Sequence, residues 1–348
     1  MTRTTLRLSG ASGVAEAARL LRGGGLVAFA TETVYGLGAL ALEPLAVRGI
    51  YAAKGRPLTN PLIVHVLGAA EARALVTEWP DLAQRLADAF WPGPLTLVLP
   101  RRPVVPDEVT AGGPTVAVRA PAHPLARALL TAVGAPLAAP SANRAEHVSP
   151  TTAAHVLADL DGRIDAVLDG GPCEVGIEST VLQLGAGGPR LLRQGSIPAA
   201  QLEALCGKVA RGAAVGAGLP TSGAPAASPG LHARHYAPAG IVRLARGAEV
   251  AVVAAQASRE AAAAQIGSGA TVAAGPLPAR VGALLHTAAA PPGVVEVRLP
   301  ADAAGYAKGL YAGLRALEDS GCAAIVIEEA PAGSGWDAVR DRVSRASA

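Results

Sequence analysis

Short apolar runs, each closed by Gly, Pro or a polar cluster and alternating with stretches of helical spacing, constrain this chain more than any other feature. LVAFA (26–30) follows Gly23-Gly24-Gly25 and reads as a buried strand. Pro44 to Lys54 has helical spacing, with Leu45, Ile50 and Tyr51 apolar, and Gly55 and Pro57 end it. Residues 62–67 (LIVHVL), 95–99 (LTLVL), 115–119 (TVAVR), 137–139, 166–169 and 177–184 read as further strands. Helices are expected near 69–76, 81–90, 124–132, 151–159 and 198–205, and Trp91-Pro92-Gly93-Pro94 as a turn. Strands interleaved with helices specify an α/β domain of about 200 residues.

The 348 residues exceed one such domain and favour two. The chain is 51% hydrophobic and 16% charged, which excludes an intrinsically disordered protein. With only 2 Phe, 3 Trp and 5 Tyr, the core must be filled by Ala, Val and Leu. No stretch suits a membrane span: the charge-free Ala261 to Ala279 is broken by Gly267, Gly269, Gly275, Pro276 and Pro278. The opening lacks the basic, apolar and small-residue order of a signal peptide, so a cytoplasmic location is expected. Cys173, Cys206 and Cys322 form no CxxC pair and read as reduced, buried thiols.

Residues 207–240 change character. Gly, Ala, Ser and Pro dominate up to Gly230, as in an exposed linker, and then SPGLHARHYAP (228–238) turns specific. Its His, Arg and Tyr side chains suit a segment that docks on something. Beyond it, Val250 to Ala254, a helix near 257–264, Ala303 to Glu318, Ala323 to Glu328 and Trp336 to Arg345 outline a smaller βαβ-like unit.

The chain has no GxxxxGK[ST] loop, no GxGxxG between strand and helix, no HExxH and no GxSxG. Its candidate chemistry lies in polar residues at strand ends, which in an α/β sheet converge on one crevice. Lys54, Arg56, Arg119 and Arg193 would bring four cations there, and Thr33, Ser141, Asn143 and Ser179 neutral hydrogen bonds. Cations and hydroxyls without a carboxylate pair or Cys/His dyad suit polyanions such as a triphosphate and a carboxylate. Glu32 and Glu178 read equally as general bases or as partnered structural carboxylates, and His65 as a core histidine or a site residue. The Lys54-Gly55-Arg56-Pro57 turn brackets an anion, and as a surface turn it predicts a stability cost within about 0.5 kcal/mol for substituting either cation. Residues 1–205 carry 17 basic and 17 acidic side chains, and residues 206–348 carry 13 and 10. Neither half has the dense basic face of a protein that binds nucleic acid through phosphates.

TETVYGLG, KGRPLTNPLIVH, WPGPLT, TVAVRAPAHP, APSAN followed by SPTTAAHV, LDGG, GIESTV and LLRQG stand in one order. That series resembles the threonylcarbamoyl-AMP synthase family over about residues 8–205. SPGLHARHYAP and a tail similar to the family's long form (Tyr306 to Leu317, Gly333 to Arg345) extend the likeness over nearly the whole chain. Ala30 stands where the family usually has Pro.

The resemblance implies that L-threonine, bicarbonate and ATP give threonylcarbamoyl-AMP and pyrophosphate, the first step of threonylcarbamoyladenosine formation in tRNA. It implies an open twisted α/β sheet with a concave active-site face, plus a smaller C-terminal Rossmann-like α/β domain. The boundaries expected are 1–206 for the catalytic domain, 207–240 for a linker and lid, and 241–348 for the smaller domain. By the same likeness Lys54 and Arg56 are catalytic, with Lys54 near the phosphates. Arg56, Asn60, Thr115, Ser141, Asn143, Ser149, Arg193 and Tyr236 contact ATP. Thr33, His65, Arg119, Ala139 (through its backbone) and Ser179 contact L-threonine, and His235 and Tyr236 form the lid. Mg²⁺ accompanies ATP without a dedicated protein cage, and the product passes to a tRNA threonylcarbamoyl transferase system, with neither stable tRNA binding nor a membrane. Two rival readings stand beside this one. A carbamoyl-adenylate enzyme of hydrogenase maturation would need zinc-finger regions that three scattered cysteines do not supply, and an RNA-binding module is opposed by the zero net charge of residues 1–205.

Overall fold

Where an apolar run stands, the chain forms a strand; the computed structural model, which describes residues 4–212, 237–238, 240–267, 279–333 and 335–347, adds strands that no such run announces. The first stretch reads β1 (Leu6–Leu8), α1 (Gly10–Arg22), β2 (Val27–Phe29), β3 (Gly36–Leu40), α2 (Pro44–Lys54) and β4 (Ile63–His65). Then follow α3 (Ala69–Arg73), α4 (Asp81–Phe90), β5 (Leu95–Pro100), α5 (Asp107–Thr110), β6 (Thr115–Arg119), α6 (Pro124–Val133) and β7 (Leu137–Ala138). The last are α7 (Ala153–Leu160), β8 (Ala166–Leu168), β9 (Thr180–Gln183), β10 (Arg190–Arg193), α8 (Ala199–Cys206) and β11 (Ala210–Arg211). Among the described residues they form one sheet in the order β1-β8-β2-β3-β7-β4-β6-β5-β9-β10-β11, with parallel and antiparallel neighbours mixed.

Local chemistry explains the element that matters most for the site. Pro44 starts α2, and Gly55, with φ 63°, ends it in the left-handed region while its N–H bonds Ala52 O. Lys54 is thereby the last helical residue and Arg56 the first beyond the reversal. Alternation does the rest. In β4, β5 and β6, Val64, Leu95, Leu97, Leu99, Val116 and Val118 enter the large core. Ile63, Val98 and Ala117 lie on the other face, in a small apolar patch with Val181 and Leu192. By the same period His65, Thr96 and Arg119 share that second face.

By chain contacts the described residues fall into two units: those up to Ala145 and from Ser149 through β11, and Glu146–Val148 with those from 237 onward. Strand β11, beyond position 206, pairs parallel with β10. The second unit contains β12 (Ile241–Ala245), α9 (Val250–Gly267), β13 (Val281–Leu285), β14 (Val295–Arg298), α10 (Ala303–Asp319), β15 (Ala324–Glu328) and α11 (Asp337–Ala346). Its sheet is parallel throughout, in the order β12-β15-β13-β14. Val250 to Ala254 is not a separate element: it opens α9, and the first strand is Ile241–Ala245. Glu328 ends β15 and fastens the loop after β13, accepting the N–H groups of His286 (2.8 Å), Thr287 (2.9 Å) and Ala288 (3.1 Å). Burial alone would raise its pKa, yet the Thr287 hydroxyl and these N–H groups hold it down at about 2. No helix among the described residues is long and apolar enough to cross a membrane.

Candidate active site

The loop between β2 and β3, Thr31 to Tyr35, is where distant parts of the first unit meet. Val175 N–H bonds Glu32 O at 2.8 Å, and Gly176 N–H bonds Thr33 O at 3.1 Å. Tyr35 N–H bonds Pro150 O at 2.9 Å, and Ala142 N–H bonds Tyr35 O at 2.8 Å. Four sequence blocks thus meet at one turn: TETVY itself and, held to it by main-chain bonds, GIEST, SPTT and APSAN.

The fifth is TVAVR, through Arg119. This side chain, 4% exposed, donates from Nη2 to Glu32 Oε1 at 2.6 Å, from Nη1 to Thr33 Oγ1 at 2.9 Å and from Nε to Gly93 O at 3.3 Å. A guanidinium has five N–H groups, so one remains on each terminal nitrogen. Burial pushes the Glu32 carboxyl up, but the Arg119 charge and hydrogen bond outweigh this and leave it lowered. Of the two readings open for Glu32, the structure selects the partnered carboxylate. His65 stands beside Arg119 in the β4–β6 register, with its ring edge-on to Phe29 at 6.1 Å and Nδ1 without a hydrogen-bond partner. Burial, then the Arg119 charge, drive its pKa down to about 3, so the ring is neutral.

Hydroxyl groups secure a second guanidinium. Arg193 donates to Ser179 O and to Ser179 Oγ, both at 3.1 Å, and Ser179 Oγ lies 2.7 Å from Thr96 Oγ1. Next to Ser179, Glu178 accepts the Ser149 hydroxyl at 2.6 Å.

The Lys54-Arg56 turn departs from expectation. Both cations are buried, at 3% and 8% exposure, because they hold backbone carbonyls. Lys54 donates to Ser141 O at 2.6 Å and to Asn143 O, fastening the APSAN segment. Arg56 donates to Asn60 O at 3.1 Å and to Pro61 O at 2.9 Å. Burial first, and the neighbouring Arg56 second, take the Lys54 ammonium well below its usual pKa. The expectation that substituting them costs little stability is therefore corrected. Asn60 Oδ1 is buried without a partner, an acceptor left open beside these cations.

The expected residues fall into two groups joined by the Thr31–Tyr35 loop. Thr33, His65, Arg119, Ser179 and Arg193 lie at one end of the central strands. Lys54, Arg56 and Asn60 gather with Ser141 and Asn143. Thr115 begins β6 four residues before Arg119, about 13 Å away along an extended strand. Ala139 N–H is spent on Ile63 O at 2.9 Å. His235 and Tyr236 lie outside the described residues. Thr31 and Thr96, which hydrogen-bond Thr33 and Ser179, are not among the site residues expected from the sequence. A lone threonine inside LTLVL was the available signal for Thr96; for Thr31 there was none apart from its place in the motif. Among the described residues no three His, Cys, Asp or Glu side chains group as a metal site.

Comparison with known proteins follows the same blocks. A family model described as telomere recombination matches residues 19–195, and one described as threonylcarbamoyl-AMP synthase, C-terminal domain, matches residues 197–348. The chain is 48% identical over 232 residues to a threonylcarbamoyl-AMP synthase of Pyrococcus abyssi, covering 66% of this chain and 67% of that protein. It is 48% identical over 235 residues to the Bacillus subtilis protein of that name, covering 67% of each. The crystal structure of P. abyssi Sua5 complexed with L-threonine superposes with a TM-score of 0.84 at 36% identity, covering 99% of this chain and 97% of that one.

Proposed function

We propose, from the premise that the chain belongs to the threonylcarbamoyl-AMP synthase family, that the groups around Thr31 to Tyr35 hold L-threonine and ATP for one adenylation. The chain is an enzyme of the nucleotidyltransferase kind, forming threonylcarbamoyl-AMP and pyrophosphate from L-threonine, bicarbonate and ATP. The observation that carries the residue assignment is the Arg119 fork, with two N–H groups left over beside the Thr33 hydroxyl. Donors on both terminal nitrogens of one guanidinium suit the two oxygens of a carboxylate. Neutral His65 and Ser179 complete the amino-acid end.

The chemistry needs charge stabilisation and positioning more than acid–base machinery. The threonine amine and bicarbonate give a carbamate with loss of water. A carbamate oxygen then bonds the α-phosphorus as the bond from that phosphorus to the bridging oxygen breaks, and the electron pair leaves with pyrophosphate. Lys54, Arg56 and Arg193 are the cations offered to the triphosphate, with Asn60, Thr115, Ser141, Asn143 and Ser149 around the nucleotide. Lys54 has spent two of its three N–H groups on Ser141 O and Asn143 O, so it both shapes the APSAN turn and retains one donor for an oxygen of the substrate. Mg²⁺ arrives on the triphosphate as part of the ATP substrate. Glu32 and Glu178 are already bonded to Arg119 and Ser149. The mixed anhydride formed serves a tRNA-modifying transferase, and we infer a cytoplasmic location.

Incubation with ATP, Mg²⁺, L-threonine and bicarbonate, followed by chromatography and mass spectrometry, tests this reading. Pyrophosphate release should require threonine and bicarbonate together. Equal release without bicarbonate would make threonine's own carboxylate the nucleophile and overturn it.

A further inference from the structure

Two residues of the hub reach the amino-acid end only through other side chains. Thr31 Oγ1 donates its single hydrogen to Val34 O at 2.6 Å and accepts the N–H groups of Thr33 and Val34 at 3.2 and 3.3 Å, so it enters its shorter, 2.8 Å contact with Thr33 Oγ1 as an acceptor. The Thr33 hydroxyl hydrogen is therefore spent on Thr31. Arg119 Nη1 already donates to Thr33 Oγ1. What Thr33 offers a ligand is one lone pair and no donor. Glu32 fixes the other half. Its Oε1 takes Arg119 Nη2 at 2.6 Å and its Oε2 takes Ala122 N–H at 3.1 Å, which ties the fork to the backbone just beyond β6.

We propose that Thr31 and Glu32 are positioning residues that give the amino-acid end its polarity: one remaining donor on each terminal nitrogen of Arg119 for a carboxylate and, beside them, a Thr33 oxygen locked as acceptor for the adjoining amine. This rests on the reading of Arg119 and Thr33 as L-threonine contacts. Without Thr31 the Thr33 hydroxyl is free to turn its hydrogen towards the ligand amine and repel it. Without the Glu32 carboxylate, one amide oxygen cannot satisfy Arg119 and Ala122 together, and the amide NH₂ would face a second donor.

The test uses the full chain carrying Thr31→Ala, Thr31→Ser or Glu32→Gln. L-threonine affinity is measured by calorimetry, KM values for threonine and ATP by pyrophosphate release, and apo melting by scanning. Thr31→Ala and Glu32→Gln should each weaken threonine about tenfold, the effect of one misdirected hydrogen bond to a charged group, with the KM for ATP within about twofold of the parent. Thr31→Ser, which keeps the hydroxyl, should restore the affinity. Folded variants that bind threonine as the parent does, a parallel rise in the KM for ATP, or Thr31→Ser behaving like Thr31→Ala would each overturn the proposal. If Glu32→Gln does not fold, the Thr31 pair decides alone. A parent chain that binds no L-threonine would instead sink the reading of the site, and this inference with it.

Discussion

Replacing Lys54 by Met and by Ala separates the charge of this side chain from its volume. The ammonium makes two charge-assisted hydrogen bonds, to Ser141 O and Asn143 O. At about 1.5–3 kcal/mol each they contribute about 3–6 kcal/mol. Against them stand several kcal/mol for removing an ammonium from water with no carboxylate bonded to it among the described residues. The opposing contributions are similar in size, so Lys54→Met, which keeps the stem's volume, should lie within about 2 kcal/mol of the parent in stability. Lys54→Ala leaves a cavity as well and should cost about 2–5 kcal/mol more. Turnover should fall about 10–100-fold in both, through the lost charge. Unfolding of the first unit can be followed by Trp79 and Trp91 fluorescence in a Trp336→Phe background. The dependence on pH gives an independent check. Because the folded pKa is lowered, the unfolded chain binds the extra proton between that pKa and about 10.5, so the contribution of Lys54 rises with pH across this window. The stability of the parent relative to Lys54→Met should climb by up to about 1.4 kcal/mol per pH unit. A flat difference, with Ala and Met equally mild, would mean an exposed lysine that clamps nothing and would refute the reasoning.

Arg119→Lys keeps the charge but loses the planar fork and should raise the KM for threonine about tenfold or more while sparing that for ATP; a parental KM would argue against bidentate recognition. Glu328→Gln should destabilise the second unit by about 2–4 kcal/mol, since one amide oxygen replaces a carboxylate that binds three N–H groups and a hydroxyl. The Glu328 pKa is lowered to about 2, so its contribution is present above pH 4.5 and lost as pH falls towards 2; a parent-to-variant gap that stays constant over that range, read by Trp336 fluorescence, would count against it. At Gly195 an added Cβ would lie 2.2 Å from Thr180 N and 2.5 Å from Ser179 C, so Gly195→Ala should cost about 3 kcal/mol or more and lower activity through Ser179; parental urea unfolding would show that the backbone yields there.

Where structure follows from neighbours in the chain, the sequence determined it. Pro44 and Gly55 bound α2 to the residue, and the alternation in TVAVR sets β6 and puts Arg119 on the face opposite Val116 and Val118. The ordered blocks supply the cations and hydroxyls proposed for the site. Strand β3, GLGAL, was not legible, because two glycines weaken the strand pattern, and α1 was hidden by two glycines and a buried face dominated by small residues. Burial of Lys54 and Arg56 was also beyond reach, since the carbonyls that receive Lys54 lie 87 and 89 residues downstream. Glu32 meets Arg119 across 87 residues. Periodicity, caps and turns act within about one or two helical turns of the chain and fix which groups are available. Only the folding of the sheet decides which donor faces which acceptor. A hydrogen bond changes its meaning within a few tenths of an ångström, a separation the order of residues does not encode.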